Sequence, residues 1–484
     1  MSSSVFARLC ETAKAIPIRK LFLCSAFGLA FSFATFTFAQ MSPRDPGVRG
    51  GTVDSGKPLA SISQTSGVYD FFSNGLLRFQ EVEVVQGGTN NGLGPRFNSN
   101  QCSSCHSQPA IGGTSPSATI FPFIGPNPET LVYSLNGAQN ALPPFITPEG
   151  PAREARFKFF LNPNGSLSNN PDGGVHDLFV ISGRTDAGIC SIRQPNFHQN
   201  LALNNVIFRI PTPVFGAGLI ENISEETIYA NMRTNSQFKQ ALQISGHPNR
   251  DGNDSMISRF GWKAQNKSLE LFAGEAYNVE MGVTNELFQN ERASPDEALN
   301  GGLPANCKIN PTPEDPTNMN PSQYTDVPSD VVQFAMFMRL LAPPTPSATV
   351  PGGALSISSG SRIFNAIGCA MCHTPTLQTA PSGITPGLSQ VNANLFSDLL
   401  VHHMGTNLAD GVSQGSAGPD EFRSAPLWGL GQRIFLLHDG RTTDLVDAIR
   451  EHASSGSEAN IVIQNFRRLN PQQEQDLLNF LRSL

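Results

Sequence analysis

Tryptophan occurs only twice in 484 residues, histidine nine times and cysteine eight times, and charged side chains make up 15% of the chain. Long apolar runs are as scarce. Beyond residues 21–38 no stretch is long and apolar enough to span a bilayer, which excludes a multi-spanning membrane protein. A basic excess is missing too: the formal net charge is −7, so a nucleic-acid partner is not expected. What the sequence has in quantity is glycine and proline, 44 and 37 residues, which points to long loops.

The one apolar run sits where an export signal belongs. Arg19 and Lys20 precede residues 21–38, and the run closes on Thr37, Phe38 and Ala39, so cleavage after Ala39 is expected. Ser25, Ser32, Thr35 and Thr37 weaken the same run as a permanent anchor. Cleavage removes four of the 32 basic residues and one of the 39 acidic ones, leaving 28 and 38 and a net charge of −10. The expected location is the periplasm, with no membrane attachment after cleavage.

Cys10 and Cys24 leave with the signal, and four other cysteines stand in pairs three apart. That leaves Cys190 and Cys307. In an oxidising compartment they are candidates for a disulfide, although two free buried thiols fit the sequence equally well.

The length allows two or three domains. Residues 40–66, rich in Gly, Ser and Pro, read as a flexible lead-in, and order is expected from residue 67. Between residues 330 and 341, Val331, Phe334, Ala335, Met338 and Leu341 share one helical face before Pro343 and Pro344 stop the helix. The reading is an N-terminal haem domain over 67–342 with large insertions, a linker over 343–353 and a C-terminal haem domain over 354–484. In the latter, Ile363, Phe364 and Ile367 form a stripe leading to Cys369. At its far end Asn470, Pro471 and Gln473 predict a capped closing helix carrying Leu477, Leu478, Leu481 and Leu484. Residues 110–330 keep no period for long, so loops, short helices and hairpins are expected there. The fold class is read as mainly α, two cytochrome c-like domains with minor β in the N-terminal one.

Cys102-Ser-Ser-Cys105-His106 and Cys369-Ala-Met-Cys372-His373 both fit the C-x-x-C-H pattern for covalent haem attachment. Two thiols at this spacing reach the two vinyl groups of one porphyrin, and the adjacent histidine turns under the ring to the iron. Zinc or a redox disulfide is the competing reading of any C-x-x-C pair, but here both pairs carry the histidine. Two covalently bound haem c groups are therefore expected.

Four stretches carry a family resemblance: 92–106 (GLGPRFNSNQCSSCH), 259–264 (RFGWKA), 398–411 (DLLVHHMGTNLADG) and 425–452. Through them nearly the whole mature chain resembles the di-haem oxidoreductases classed as peroxidase-like, which are distantly similar to bacterial di-haem cytochrome c peroxidases, quinone-cofactor maturation enzymes and di-haem rubber oxygenases. The resemblance implies an axial ligand fourteen residues after a His-Asp-Gly turn. Here His438, Asp439 and Gly440 lead at that spacing to His452, where the peroxidases have methionine. Helical spacing agrees, since Leu445, Ala448, Ile449 and His452 fall on one face behind Thr443 or Asp444 as cap. Met404 is the rival ligand. A calcium ion between the domains, as in related peroxidases, is compatible with the resemblance but has no residue pointing to it.

For the N-terminal haem the resemblance supplies no sixth ligand: residues 107–175 contain no histidine, and His176, His198 and His247 are remote. An iron left open to peroxide, oxygen or water is the simplest expectation. Trp262, within RFGWKA, reads either as a bridge between haems or as a large core residue, and Trp428 as packing. Glu280 and Glu275 are conceivable proton carriers, but nothing in the sequence singles them out, so no catalytic acid is named. The expected function is a di-haem peroxidase-like oxidoreductase, its C-terminal haem relaying electrons from a small redox protein or quinol-linked donor to a reactive N-terminal haem that reduces hydrogen peroxide. A plain electron carrier and an oxygenase acting on an organic substrate are the alternatives.

Overall fold

The computed structural model describes residues 42–50, 54–64, 66–118, 125–310, 328–383 and 385–484. The expected signal, 1–39, lies outside the described residues. Residues 42–484 form one compact unit. No helix among the described residues is long and apolar enough to cross a membrane.

Local sequence accounts for the helices that frame the site. Helix α1 (Gly67–Phe79) starts on Ser66, whose hydroxyl accepts the Tyr69 N–H at 3.3 Å, and has Asp70 in its first turn and Arg78 in its last. A four-residue turn, α2 (Cys102–Cys105), carries the first motif. Helix α3 (Leu269–Met281) is capped by Ser268, and α4 (Asp330–Leu340) by Ser329. Val331, Phe334, Ala335 and Met338 are buried on α4 as their spacing predicts. Gly75 lets α1 and α4 close together, because a Cβ there would stand 2.3 Å from the Gln333 carbonyl oxygen. The interface is filled by Phe72, Phe79 and Phe337, with Phe79 and Phe337 ring centres 5.0 Å apart.

The second part repeats the device. Helix α5 (Gly353–Ile367) delivers the second motif. After α6 (Leu445–Glu451) and α7 (Asn460–Phe466), the closing α8 (Pro471–Ser483) begins in a capping box of Asn470 and Gln473 with Pro471 at its first position. Helices α5 and α8 cross at Gly360, where a Cβ would lie 2.0 Å from the Asp476 carbonyl oxygen. Phe364 packs on Phe480 at 5.5 Å, and Leu477, Leu478 and Leu481 are buried beside them. Each such side chain contributes about 1.5–3 kcal/mol on burial.

Two apolar cores result, one around α1, α3 and α4, the other around α5, α7 and α8. Leu395, Leu399, Leu400 and Trp428 follow the second motif in sequence yet join the first core. Leu242 and Ile244 precede α5 in sequence and join the second.

The fold class is corrected in two respects. About 33% of residues are helical and 12% are in strands, so the architecture is mixed rather than mainly α. The strands of the described residues form two-stranded antiparallel pairs, and these are not confined to the N-terminal part: Leu377–Gln378 with Asn392–Ala393 and Val401–His403 with Glu421–Arg423 follow α5. The physical reason is that the loops around each cavity are too long to stay unpaired, and short ladders satisfy their buried backbone groups.

The stretch 40–66, expected to be flexible, is tied down where it is described. Asp45 pairs with the buried Arg482 at 2.6 Å, and the Arg49 N–H donates to the Gly431 carbonyl at 2.7 Å. Cys190 and Cys307 are joined in a disulfide, resolving what the sequence left open.

Candidate functional site

Each C-x-x-C-H motif borders its own cavity. The N-terminal one, partly open to solvent, lies between Cys102, Cys105, His106, α3 and α4. The C-terminal one is also partly open and is lined by Cys369, Cys372, His373, Met404, His438 and His452 among mostly apolar side chains.

The imidazoles are held in one way. His106 Nδ1 lies 3.0 Å from the Gly113 carbonyl oxygen, His373 Nδ1 3.1 Å from that of Phe396 and His452 Nδ1 2.7 Å from that of Ala448. A carbonyl only accepts, so each Nδ1 carries the proton and each Nε2 keeps its lone pair, the tautomer an iron ligand needs. Burial lowers the basicity of all three, and it takes His373, with His452 adding to the effect, down to about 4. His452 ends α6, whose cap is Asp444, accepting from the Val446 and Asp447 N–H groups.

The four motif cysteines are free, in contrast to Cys190 and Cys307. Burial, reinforced by Glu83 and Glu280, pushes the Cys102 thiol up to about 12; burial and then Cys372 do the same for Cys369; burial and then Glu129 raise Cys105. Thiols free of any disulfide, beside an imidazole with a free Nε2, suit thioether attachment of a haem. Zinc fits less well, since among the described residues no group of three or more His, Cys, Asp or Glu side chains is placed to hold a metal.

His402 also borders the C-terminal cavity, but its Nδ1 is 2.8 Å from Glu458 and its Nε2 3.1 Å from Asp398. With both nitrogens engaged by carboxylates it is a structural ion-pair centre. Burial opposes its charge, yet Cys372 and then Asp398 hold it well above the usual histidine value. Met404 and His452 line one cavity, so both ligand candidates stand beside His373. His438 stacks on Phe422 at 4.3 Å and meets Trp262 edge-on at 6.3 Å.

The remote candidates for the N-terminal cavity do not reach it. His176 stacks on Phe157 and binds Asp172 at 2.8 Å, His198 is exposed, and His247 pairs with Glu421 at 2.7 Å. His106 is the only imidazole in the lining. Met281 is there too, but its sulfur lies 3.6 Å from the Cys102 sulfur, on the attachment side.

Trp262 lines both cavities, with its indole N–H donating to the Ile210 carbonyl at 2.9 Å. Trp428 packs into the first core.

Charged residues that sequence reasoning passed over crowd the N-terminal cavity. Glu154 and Arg156 sit at alternate positions of the strand Glu154–Phe157 and form an ion pair, and Arg209 stands opposite Glu154 on the paired strand. The alternation of Glu154-Ala-Arg-Phe was a visible signal of a polar strand face; that it faces a haem motif was not. Burial raises Glu280 to about 8, with Glu154 adding repulsion, and raises Glu129 well above the carboxylate range. Glu154 stays below its usual value because Arg156 and Arg209 outweigh its burial. Glu275 does not line the cavity and instead accepts from Asn266.

No curated protein matches the chain. Among solved structures, one hydrazine synthase chain from Kuenenia stuttgartiensis, pressurised with xenon, is 21% identical over 33% of this chain and 56% of that one, with a TM-score of 0.22. This chain thus matches little more than half of that protein's length. A MauG-like protein associated with microbial copper homeostasis is 14% identical over 54% of this chain and 89% of that one, with a TM-score of 0.24. The diheme peroxidase BthA of Burkholderia thailandensis is 14% identical over 57% and 86%, with a TM-score of 0.28. Residues 158–484 match the family described as "di-haem oxidoreductase, putative peroxidase", a span that holds the second motif and begins after the first. The chain therefore belongs to the di-haem oxidoreductase family.

Proposed function

We propose that this protein is an exported di-haem oxidoreductase that reduces hydrogen peroxide. Cys369, Cys372, His373 and His452 would hold an electron-receiving haem c, and Cys102, Cys105 and His106 the haem c at which peroxide reacts. One observation carries the reading: two imidazoles with free Nε2 atoms border the C-terminal cavity, whereas His106 stands alone in the N-terminal lining. A haem c supplies an iron that exchanges single electrons, readily where two ligands persist and with room for a small molecule where one position is open.

The remaining work belongs to the chain. The reaction takes up two electrons and two protons per peroxide and yields two waters. Glu280, raised by burial to about 8, borders the N-terminal cavity as the proton donor, with Glu129, also raised by burial, beside it in the lining. Arg156 and Arg209 hold Glu154 ionised beside Glu280, which favours the proton staying on Glu280 until it is needed. Trp262, common to both linings and anchored through its N–H, is the side chain best placed to couple the two cavities. The Cys190–Cys307 disulfide supports an oxidising compartment, hence the periplasm, and the electron donor would be a small redox protein or quinol-linked carrier.

The test is spectroscopy of the ferric holoprotein, followed by peroxide consumption with a reduced donor. Two c-type haems, one high-spin and cyanide-binding, the other low-spin and changed by His452→Ala, are expected. Two low-spin haems that refuse every added ligand would make the protein an electron carrier. Oxygen uptake with an organic substrate, and no peroxide turnover, would make it an oxygenase.

A further inference from the structure

The C-terminal cavity carries positive charge that the protein itself does not balance. Arg423 is buried, 8% exposed; its Nε donates to the Gly261 carbonyl at 3.1 Å, and its Nη1 is buried without a partner. Arg433 borders the same cavity and makes no side-chain hydrogen bond or ion pair among the described residues. Among the described residues the one carboxylate in the lining, Glu458, is engaged by His402 and by the Ser245 hydroxyl. Two guanidinium groups thus border one mostly apolar cavity. An unpaired buried charge costs several kcal/mol, so such a pair calls for an anion. Burial lowers both groups to about 10, with Arg433 disfavouring charge on Arg423 and Arg482 on Arg433, and no acid offsets either.

We infer that Arg423 and Arg433 form a dicarboxylate site, receiving the two propionates of the haem whose opposite edge Cys369 and Cys372 attach. The inference rests on the two-haem reading above. Guanidinium groups suit the task because their planar forks meet carboxylates in a fixed geometry and stay charged at every physiological pH. The consequence is electrical. With both arginines in place the propionates stay ionised and the haem potential is insensitive to pH. With one removed, a propionate titrates and the ferric state gains relative to the ferrous.

The experiment is a spectroelectrochemical titration of the holoprotein between pH 5 and 9, comparing wild type with Arg433→Gln, Arg433→Lys and Arg423→Gln, with the haem count of each measured alongside. In Arg433→Gln the ferrous-to-ferric ratio of the C-terminal haem at fixed potential should fall on the order of tenfold and become pH-dependent. Arg433→Lys should restore most of the wild-type ratio. Selective loss of the C-terminal haem in the glutamine variants, reversed in Arg433→Lys, also supports the site. Two haems with unchanged, pH-independent potentials in both glutamine variants would overturn it. A wild-type protein with a single haem would instead overturn the reading on which it rests.

Discussion

At the scale of the residue, the N-terminal cavity separates acids by role. Glu280 is raised to about 8, so it holds its proton below that pH and loses it as pH rises through it. Peroxide turnover should therefore fall on the alkaline side with an apparent midpoint near 8. Glu280→Gln should lower kcat by about 100-fold, the lower end for loss of a general acid, and remove that alkaline limb, as a stopped-flow pH profile would show. At the other cavity, His452→Met should raise the reduction potential of the C-terminal haem, because thioether stabilises the ferric state less than imidazole; a redox titration reads this directly. No change in potential would point to Met404 as the ligand instead.

At the scale of the element, each motif depends on a helix crossing closed by a glycine. Gly360 allows α5 and α8 to meet backbone to backbone, and α5 ends at the second motif. Gly360→Val should force the helices apart and destabilise the holoprotein by about 1–3 kcal/mol, measured by denaturant unfolding. Since α5 carries Cys369 to its cavity, the same variant should incorporate less haem at that site while leaving the N-terminal haem in place. The equivalent crossing at Gly75 sits under Phe79, whose ring meets His106 edge-on at 6.0 Å.

At the scale of the whole molecule, the described residues form one compact unit stitched across large sequence distances. Cys190 and Cys307 close a loop of 117 residues, and their joint replacement by alanine should cost about 2–5 kcal/mol and lower Tm, seen by calorimetry of the oxidised holoprotein. The ion pair of Asp45 with Arg482 joins residues 437 apart in sequence and ties the lead-in to α8. The residues that exchange cores, Leu395, Leu399, Leu400 and Trp428 in one direction and Leu242 with Ile244 in the other, interlock the two cores.

The sequence by itself determined the local features. C-x-x-C-H spacing is a covalent requirement, and the capping of α8, the apolar stripe of α4 and the helical face bearing His452 follow from short-range periodicity and hydrogen bonding. The cap, the stripe and the helix ending at His452 agree with the structure because neighbouring residues suffice to produce them. Which acids border the first motif was decided only by the tertiary fold: Glu129, Glu154, Arg209 and Glu280 lie far apart in sequence, and their protonation depends on a burial no local pattern reports. The pairing of Arg423 with Arg433, the sharing of Trp262 by two cavities and the Cys190–Cys307 bond were decided the same way. The short strands beyond α5 escaped the sequence reading because two- and three-residue ladders carry no periodicity of their own and form only where folded loops bring their backbones together.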